Sequence, residues 1–240
     1  MTNPDWHGLP CVRVAADRLT ATVVPTYGGK IVSLLTDTGM ELLTICDLGG
    51  GLPGPVAGFV DVPMGGWDEC VPTIDACHVS GFDDELPDHG EAWRMEWQPQ
   101  GQGWYGFSGR TMPYEFARRV RVWKRGLRLE YRASATSDHP AQLADVGYGK
   151  CYIDPEHRVD HAALARPDGT TLHLTWDASA TPYLGVWMER AVYADEHVVV
   201  IEPSTGYFDS CARAQALGRV PVLEPGQTQT WYVDLDATTA

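Results

Sequence analysis

Residues 127–134 read Leu-Arg-Leu-Glu-Tyr-Arg-Ala-Ser, and this stretch decides the fold class. Apolar and polar residues alternate along it with a period of two, which is typical of a β-strand with one buried face and one wet face. Residues 114–124 form a second strand-like run on the other side of Arg125-Gly126. The two segments therefore predict a β-hairpin that turns at this dipeptide.

Similar segments recur along the whole chain. Short runs rich in Val, Ile, Leu and Thr are separated by turn residues such as Gly28-Gly29. The predicted strands span residues 19–24, 30–36, 41–46, 114–124, 127–134, 171–176, 183–188, 197–202 and 228–235. One helix is predicted, with Ser210 as its N-cap and Gly218 as its stop, and residues 48–58 form a predicted long loop. The pattern predicts an all-β fold of two packed antiparallel sheets, in one domain over residues 1–240.

Composition narrows the classes of function. Eighteen Lys and Arg against 32 Asp and Glu give a formal net charge of −14, which disfavours a nucleic-acid partner. No stretch approaches the roughly 20 apolar residues of a membrane helix, and the N-terminus has no signal-peptide pattern. The six cysteines lack zinc-site spacing, and a Cys70–Cys77 bridge stays open. Reduced thiols and a cytoplasmic location are expected.

Eight of the 18 cations lie in or near the predicted hairpin. We interpret these cations as part of a solvated face of the sheet. The alternative is a patch for a phosphate or a partner, although the net charge disfavours a hexose phosphate. These cations are Arg110, Arg118, Arg119, Arg121, Lys124, Arg125, Arg128 and Arg132.

Residues 87–93, Pro-Asp-His-Gly-Glu-Ala-Trp, concentrate reactive side chains in a segment without strand or helix periodicity. Histidine is the residue type best suited to proton transfer near neutral pH, so His89 is a candidate acid or base. An exposed loop histidine without a special role is the alternative. A metal site formed with His78, Asp88 and Glu91 is weakly supported because the spacing fits no ligand motif. No metal or cofactor is expected.

Four blocks in this order resemble the galactose mutarotase-like superfamily, which includes the aldose 1-epimerases. The resemblance implies a large antiparallel β-sandwich, the galactose mutarotase-like supersandwich, with a sugar cleft on one sheet. The blocks are residues 26–34 (Thr-Tyr-Gly-Gly-Lys-Ile-Val-Ser-Leu), 65–73 (Gly-Gly-Trp-Asp-Glu-Cys-Val-Pro-Thr) with 86–90 (Leu-Pro-Asp-His-Gly), 200–206 (Val-Ile-Glu-Pro-Ser-Thr-Gly) and 223–226 (Leu-Glu-Pro-Gly) with Trp231.

The resemblance implies catalytic roles for two residues. Glu202 would be the base that removes the proton of the anomeric hydroxyl, and His89 would lie near the ring oxygen or a neighbouring hydroxyl. The sequence itself supports the role of Glu202 in part, because Glu202 follows the four apolar residues 198–201, where loss of hydration raises a carboxyl pKa. A solvent-exposed glutamate at a strand end is the alternative.

The sequence departs from the family pattern in mid-chain. Where the family usually has a second histidine, the spacing to Pro155 places Tyr148. A phenol is a weaker acid than an imidazolium unless its pKa is perturbed, and Lys150 is expected on the same side of the strand. A core or rim tyrosine is the alternative.

Four further residues are candidate sugar contacts. Trp67 and Trp93 offer flat faces for a pyranose, and Asp68 and Glu69 offer acceptors for its hydroxyls. Exposed turn acids are the alternative for the two carboxylates. Lys150 completes the predicted binding set.

The sequence therefore predicts an aldose 1-epimerase-like isomerase whose partner is a small molecule, in particular a sugar. Two other functions stay open: an acid/base isomerase, lyase or cyclase acting on a non-sugar metabolite, and a non-catalytic carbohydrate-binding domain. Neither a nucleic acid nor a membrane is an expected partner, and the expected assembly is a monomer or homodimer.

Overall fold

Antiparallel strands are the main secondary structure of the computed structural model, which describes residues 5–48, 58–135, 141–142, 150–190, 193 and 197–239. The strands are β1 Asp5–Trp6, β2 Leu9–Pro10, β3 Val12–Ala15, β4 Leu19–Val24, β5 Lys30–Thr36, β6 Cys77–His78, β7 Glu85–Leu86, β8 Gln98–Pro99, β9 Tyr105–Ser108, β10 Tyr114–Trp123, β11 Gly126–Ala135, β12 Ala141–Gln142, β13 Lys150–Tyr152, β14 His161–Ala165, β15 Thr170–Trp176, β16 Tyr183–Arg190, β17 His197–Ser204, β18 Val222–Leu223 and β19 Thr228–Thr239. Helix α1 spans Cys211–Ala216, and two 3-10 turns span Phe59–Asp61 and Ala92–Arg94.

One large sheet and two three-stranded sheets define the architecture. The large sheet has the order β14-β15-β19-β11-β10-β9-β8, and the smaller sheets have the orders β3-β4-β5 and β13-β16-β17. Two-stranded pairs form between β1 and β2, β6 and β7, and β12 and β18. All paired strands are antiparallel.

The core lies on the inner face of the large sheet. Leu127, Leu129, Tyr131 and Ala133 of β11 are buried, while the residues between them are partly exposed. Strands β3 and β4 pack over β10 and β11, so the two sheets cover the apolar side of this alternation. The predicted all-β fold, a large antiparallel β-sandwich, is confirmed.

The hairpin of β10 and β11 turns one residue earlier than the sequence predicted. Trp123 pairs with Gly126, so Lys124 and Arg125 form the turn, and Lys124 has a φ of 53°. Gly126 is the first residue of β11, and a Cβ at this position would lie 2.0 Å from the Leu235 carbonyl oxygen of β19. This close approach between strands, rather than a turn, requires the glycine.

The strand predicted over residues 41–46 is wrong. Only Glu41 forms an isolated bridge, with Leu35 of β5. The Glu41 carboxylate accepts hydrogen bonds from the backbone amides of Leu34, Leu42 and Leu43. Because these amides donate to a side chain, the hydrogen bonds of a strand ladder do not form over residues 41–46.

Helix α1 begins where the sequence predicted, since the Ser210 hydroxyl accepts a hydrogen bond from the Arg213 amide. The predicted long loop falls largely on residues 49–57, which lie outside the described residues. The six cysteines are all described, and none forms a disulfide bond. Within the described ranges no helix is long and apolar enough to cross a membrane.

Cations on the outer face of the predicted hairpin are paired with carboxylates. Arg119 and Arg121 bind Glu130, and Arg128 binds Asp234 at 2.5 Å. The Arg128 guanidinium also lies 3.8 Å from the centre of the Trp123 ring. These contacts neutralise much of the local positive charge, which favours a solvated, internally paired face over a phosphate patch.

Candidate active site

Three short strands align a group of polar side chains on one face of a sheet. Tyr152 of β13 pairs with Gly185 of β16, and Gly185 pairs with Glu202 of β17. Lys150 lies two residues before Tyr152 and shares its face. A Cβ at Gly185 would lie 3.0 Å from Lys150 Cδ and 3.2 Å from Glu202 Oε2. Glycine here leaves room for the lysine and the glutamate to meet.

Lys150 lies at the centre of this face. Its side chain is 2% exposed, its Nζ forms an ion pair with Glu202 Oε2, and Nζ lies 3.7 Å from Asp209 Oδ1. The contact with Glu202 lacks the angles of a hydrogen bond, and neither atom has a hydrogen-bond partner among the described residues. One buried ammonium therefore serves two carboxylates and retains donor capacity for a ligand oxygen.

Asp209 lies in the chain segment that immediately precedes helix α1. The Tyr152 hydroxyl donates a hydrogen bond to Asp209 Oδ1. The residue before it, Phe208, has a φ of 70°, a left-handed conformation that is costly for a residue with a side chain. The backbone is therefore locally strained at the residue before Asp209, where the chain turns so that Asp209 faces Lys150.

The Asp209 backbone connects this sheet to the loop that holds His89. Its carbonyl accepts hydrogen bonds from the Ile74 and Asp75 amides, at 3.2 and 3.1 Å, and from the Thr73 hydroxyl at 3.2 Å. The His89 amide donates to the Ile74 carbonyl at 2.5 Å. Residues 73–75 therefore lie between Asp209 and His89.

Asp75 lies within the electric fields of both parts of the site. Loss of hydration and the Asp88 carboxylate raise the pKa of Asp75, whereas the charges of His89, Lys150 and Arg213 oppose the rise. Because these groups act on one carboxyl, the loop imidazole and the buried lysine belong to a single electrostatic neighbourhood. We call Lys150, Glu202, Asp209 and Asp75 the acid–lysine cluster.

Burial shifts two carboxyl groups of the acid–lysine cluster towards neutral pH. Loss of hydration raises the pKa of Glu202 above its ordinary value, and the Lys150 charge and contact oppose this rise. Loss of hydration also raises the pKa of Asp209 to about 7, against the Tyr152 hydrogen bond and the Lys150 charge, while the charges of Asp75 and Glu202 raise it further. A carboxyl with a pKa of about 7, as Asp209 has, can exchange protons under physiological conditions.

His89 is held by a strained backbone and a stacked ring. Its φ is 56°, its ring lies parallel to Phe59 with the centres 3.9 Å apart, and its Nδ1 lies 2.9 Å from Asp88 Oδ2. The Phe59 ring also meets Trp93 edge to face. These contacts fix the imidazole plane, with one ring nitrogen occupied by the carboxylate.

The two predicted aromatic platforms differ in exposure. Trp93 is buried, and its Nε1 has no hydrogen-bond partner in the described part of the chain. Trp67 is half-buried, and its backbone pairs with Ile31 of β5. Stacking of a sugar on either ring stays a prediction.

Asp68 and Glu69 belong to a second set of buried charges. Asp68 forms an ion pair with Lys30, and Glu69 binds Arg118 Nη1 at 2.5 Å and accepts a hydrogen bond from the Tyr131 hydroxyl at 3.0 Å. Lys30 and Arg118 are both buried. We call these five residues the inner-sheet network. Each carboxylate has an internal cation, and a role in binding sugar hydroxyls stays a prediction.

The structure brings Glu202 and Lys150 together, a contact that the sequence analysis, which placed Lys150 on the side of Tyr148, did not predict. Tyr148 itself lies outside the described residues. Sequence reasoning missed Asp209 and Tyr152. Asp209 stands directly before the predicted N-cap Ser210, but nothing in the linear pattern indicates that the segment before the helix folds against β13.

Other concave or ligating groups lie apart from this cluster. Cavities of about 210 and 310 Å³ are lined in part by Arg219 and by Arg132, respectively, and neither is lined by a residue of the acid–lysine cluster. The buried lysine and its carboxylates, rather than the size of a cavity, mark the candidate site, because proton transfer requires specific titratable groups. Among the described residues, no three His, Cys, Asp or Glu side chains are arranged to hold a metal.

Solved structures with the same architecture assign the fold. The Slr1438 protein from Synechocystis sp. PCC 6803 matches with a TM-score of 0.70 and 15% identity over 100% of both chains. A galactose mutarotase-like protein from Lactobacillus casei ATCC 334 matches with a TM-score of 0.62 and 14% identity, over 95% of this chain and 100% of that one. The fold is that of the galactose mutarotase-like proteins.

A third structure, a galactose mutarotase related enzyme from Lactobacillus acidophilus, matches with a TM-score of 0.62 and 12% identity, over 95% of this chain and 98% of that one. A family model described as a domain of unknown function, DUF4432, matches residues 125–237. No curated protein matches the sequence. At these identities the similarity concerns the fold, and function has to be argued from the site.

Proposed function

We propose that this galactose mutarotase-like protein is an aldose 1-epimerase-like isomerase that interconverts the anomers of a sugar by opening and closing its ring. The observation that supports the proposal most directly is the buried contact between Glu202 and Lys150. Lys150 stabilises the charged form of Glu202, while burial raises its pKa and makes it a stronger base.

The reaction needs one proton acceptor and one proton donor. Glu202 takes the proton of the anomeric hydroxyl, the C1–O1 bond becomes a carbonyl, and the bond between C1 and the ring oxygen breaks as that oxygen receives a proton. Rotation about the C1–C2 bond presents the other face of the aldehyde. The reverse steps then close the ring as the opposite anomer, and both protons return.

We propose that His89 contacts the sugar during this reaction. Its loop is connected to Asp209 through residues 73–75, and its ring is clamped by Phe59. A clamped imidazole can polarise the ring oxygen or bind a neighbouring hydroxyl without losing much side-chain entropy.

The charges of the site favour an uncharged sugar as substrate. Glu202, Asp209 and Asp75 lie near one lysine, and Arg213 is the other cation acting on Asp75. Acidic groups in excess, together with the net charge of −14, repel a phosphate or carboxylate on the substrate.

The proposal is tested by NMR exchange or polarimetry on freshly dissolved α-glucose, α-galactose and a panel of other aldoses. The wild-type protein is expected to accelerate anomer exchange of at least one of them. Glu202→Gln is expected to lower the rate by about 10² to 10⁴-fold, because it removes the base.

The matched control is Glu224→Gln, which changes an exposed glutamate and is expected to keep the wild-type rate. No acceleration of any aldose by the wild type, or an equal rate for Glu202→Gln, contradicts the proposal. Calorimetric binding of a sugar without turnover would favour the non-catalytic binding domain instead.

A further inference from the structure

The proposed mechanism leaves Asp209, a partly buried acid of the site, without a role. Asp209 Oδ1 faces Lys150 and accepts the Tyr152 hydrogen bond. Its second oxygen, Oδ2, makes no hydrogen bond to the described residues and can hold a proton. Asp209 and Glu202 border the same ammonium, so the two carboxyls lie on one small face of the site.

We propose that Asp209 is the general acid of the reaction and protonates the ring oxygen while Glu202 removes the anomeric proton. This inference rests on the proposed epimerase function. The Asp209 Oδ2–H bond breaks as the bond between C1 and the ring oxygen breaks. The ring oxygen keeps the electron pair of its bond to C1 and takes up the proton. On ring closure the hydroxyl returns its proton to Asp209, and Glu202 returns its own to O1.

One lysine next to two carboxyls explains why these two groups take different roles. Lys150 Nζ contacts Glu202 and lies 3.7 Å from Asp209, so its charge stabilises one carboxylate more strongly than the other. Ionising both acids together would place two negative charges around one positive charge in a partly buried site. The favoured state has Glu202 charged and Asp209 protonated, which is the pairing that ring opening requires.

The surroundings of Asp209 support this protonation. Its pKa lies at about 7, because burial and the charges of Asp75 and Glu202 outweigh the Tyr152 hydrogen bond and the Lys150 charge. A general acid works best when its pKa is near the working pH.

Tyr152 is a positioning residue in this scheme. Burial, and then its hydrogen bond to Asp209, raise the pKa of the Tyr152 phenol above its ordinary value. The phenol therefore keeps its proton and holds Asp209 Oδ1, which leaves Oδ2 for the substrate.

The test is the rate of anomer exchange from about pH 5 to about pH 9 on an aldose that the wild type accelerates. The wild-type rate is expected to fall as the pH rises through about 7, where Asp209 loses its proton. Asp209→Asn is expected to be about 10² to 10⁴-fold slower and to lack this fall. Asp37→Asn, at an exposed turn aspartate, is expected to behave as wild type.

A second variant keeps the test independent of any folding defect in Asp209→Asn. Tyr152→Phe removes a hydrogen bond that lowers the pKa of Asp209, so the fall in rate is expected to move to higher pH. An Asp209→Asn protein with the wild-type rate and profile, or an unmoved profile in Tyr152→Phe, overturns the role of Asp209 while the epimerase function stands. A wild type that accelerates no aldose overturns the epimerase function itself.

Discussion

The inner-sheet network and the acid–lysine cluster are both built around buried cations, but the ratio of cations to carboxylates differs. In the inner-sheet network, Lys30 serves Asp68 and Arg118 serves Glu69. In the acid–lysine cluster, Lys150 alone contacts Glu202 and lies near Asp209. In the first group each carboxylate has its own cation, whereas in the second a single lysine lies among three carboxylates, Glu202, Asp209 and Asp75.

This difference has chemical consequences. A matched pair can stay ionised over a wide range of pH and hold strands together, even though burial raises the pKa of Glu69. An unmatched group relieves its excess negative charge by binding a proton close to neutral pH, as the pKa of Asp209 indicates. Matched charges therefore favour a structural role, and unmatched charges favour proton transfer.

The largest effect is expected from breaking the matched network. Arg118→Met leaves Glu69 buried without its cation, and the free energy of unfolding is expected to fall by about 3 to 5 kcal/mol. Urea denaturation of both proteins measures this difference. A loss below about 1 kcal/mol would mean that the network adds little to stability.

Arg119→Met is the matched control on the same strand. Arg119 lies on the outer face of β10, where its partly exposed side chain binds Glu130. Its removal is expected to cost no more than about 1 kcal/mol, since exposed ion pairs contribute little. Equal losses for Arg118→Met and Arg119→Met would remove the distinction between the two faces.

Lys150→Met tests the unmatched cluster and is expected to have a smaller effect that depends on pH. Lys150 lowers the pKa of Glu202 and of Asp209, so its loss raises both values. The folded state then binds protons more tightly than the unfolded state, and its stability falls as the pH rises towards the new values. The expected loss is about 1 to 3 kcal/mol at about pH 8 and less at about pH 6, measured by urea denaturation. A loss that does not change with pH contradicts this account.

Asp209→Asn is expected to have the smallest effect, and in the stabilising direction. The raised pKa of Asp209 means that this group costs stability as the pH rises from its unfolded value to about 7. The variant is therefore expected to become more stable relative to wild type as the pH rises from about 5 to about 8, with most of the change below about pH 7. Thermal unfolding at both pH values measures the difference, and an Asp209→Asn protein that is less stable at pH 8 would show that the charged carboxylate is compensated.

The fold was predictable from local patterns because its strands follow the period-two rule. The alternation in residues 127–134 matches the buried face of β11, and β4 and β5 have their predicted bounds. The errors arose where a side chain or a close backbone approach replaced the local rule, as at Glu41 and Gly126. The single domain over residues 1–240, the assembly state and the cytoplasmic location stay predictions.

The site was predictable only in part, because its charges come from distant segments. Glu202 and His89 stand in recognisable blocks, but the pairing of Glu202 with Lys150 depends on the register of β13, β16 and β17. The position of Asp209 depends on the left-handed conformation of Phe208, which the local sequence pattern does not predict. Long-range register and local strain decide which acids share a cation.

The most direct test of the unmatched charge is a carbon-13 NMR titration of protein labelled at the aspartate carboxyl carbons, with Asp209→Asn used for assignment. We expect the resonance that is missing from the variant to titrate at about pH 7 in the wild type. If that resonance titrates instead near the ordinary aspartate value of about 4, Asp209 is ionised at neutral pH and the contrast between the two groups of charges is wrong.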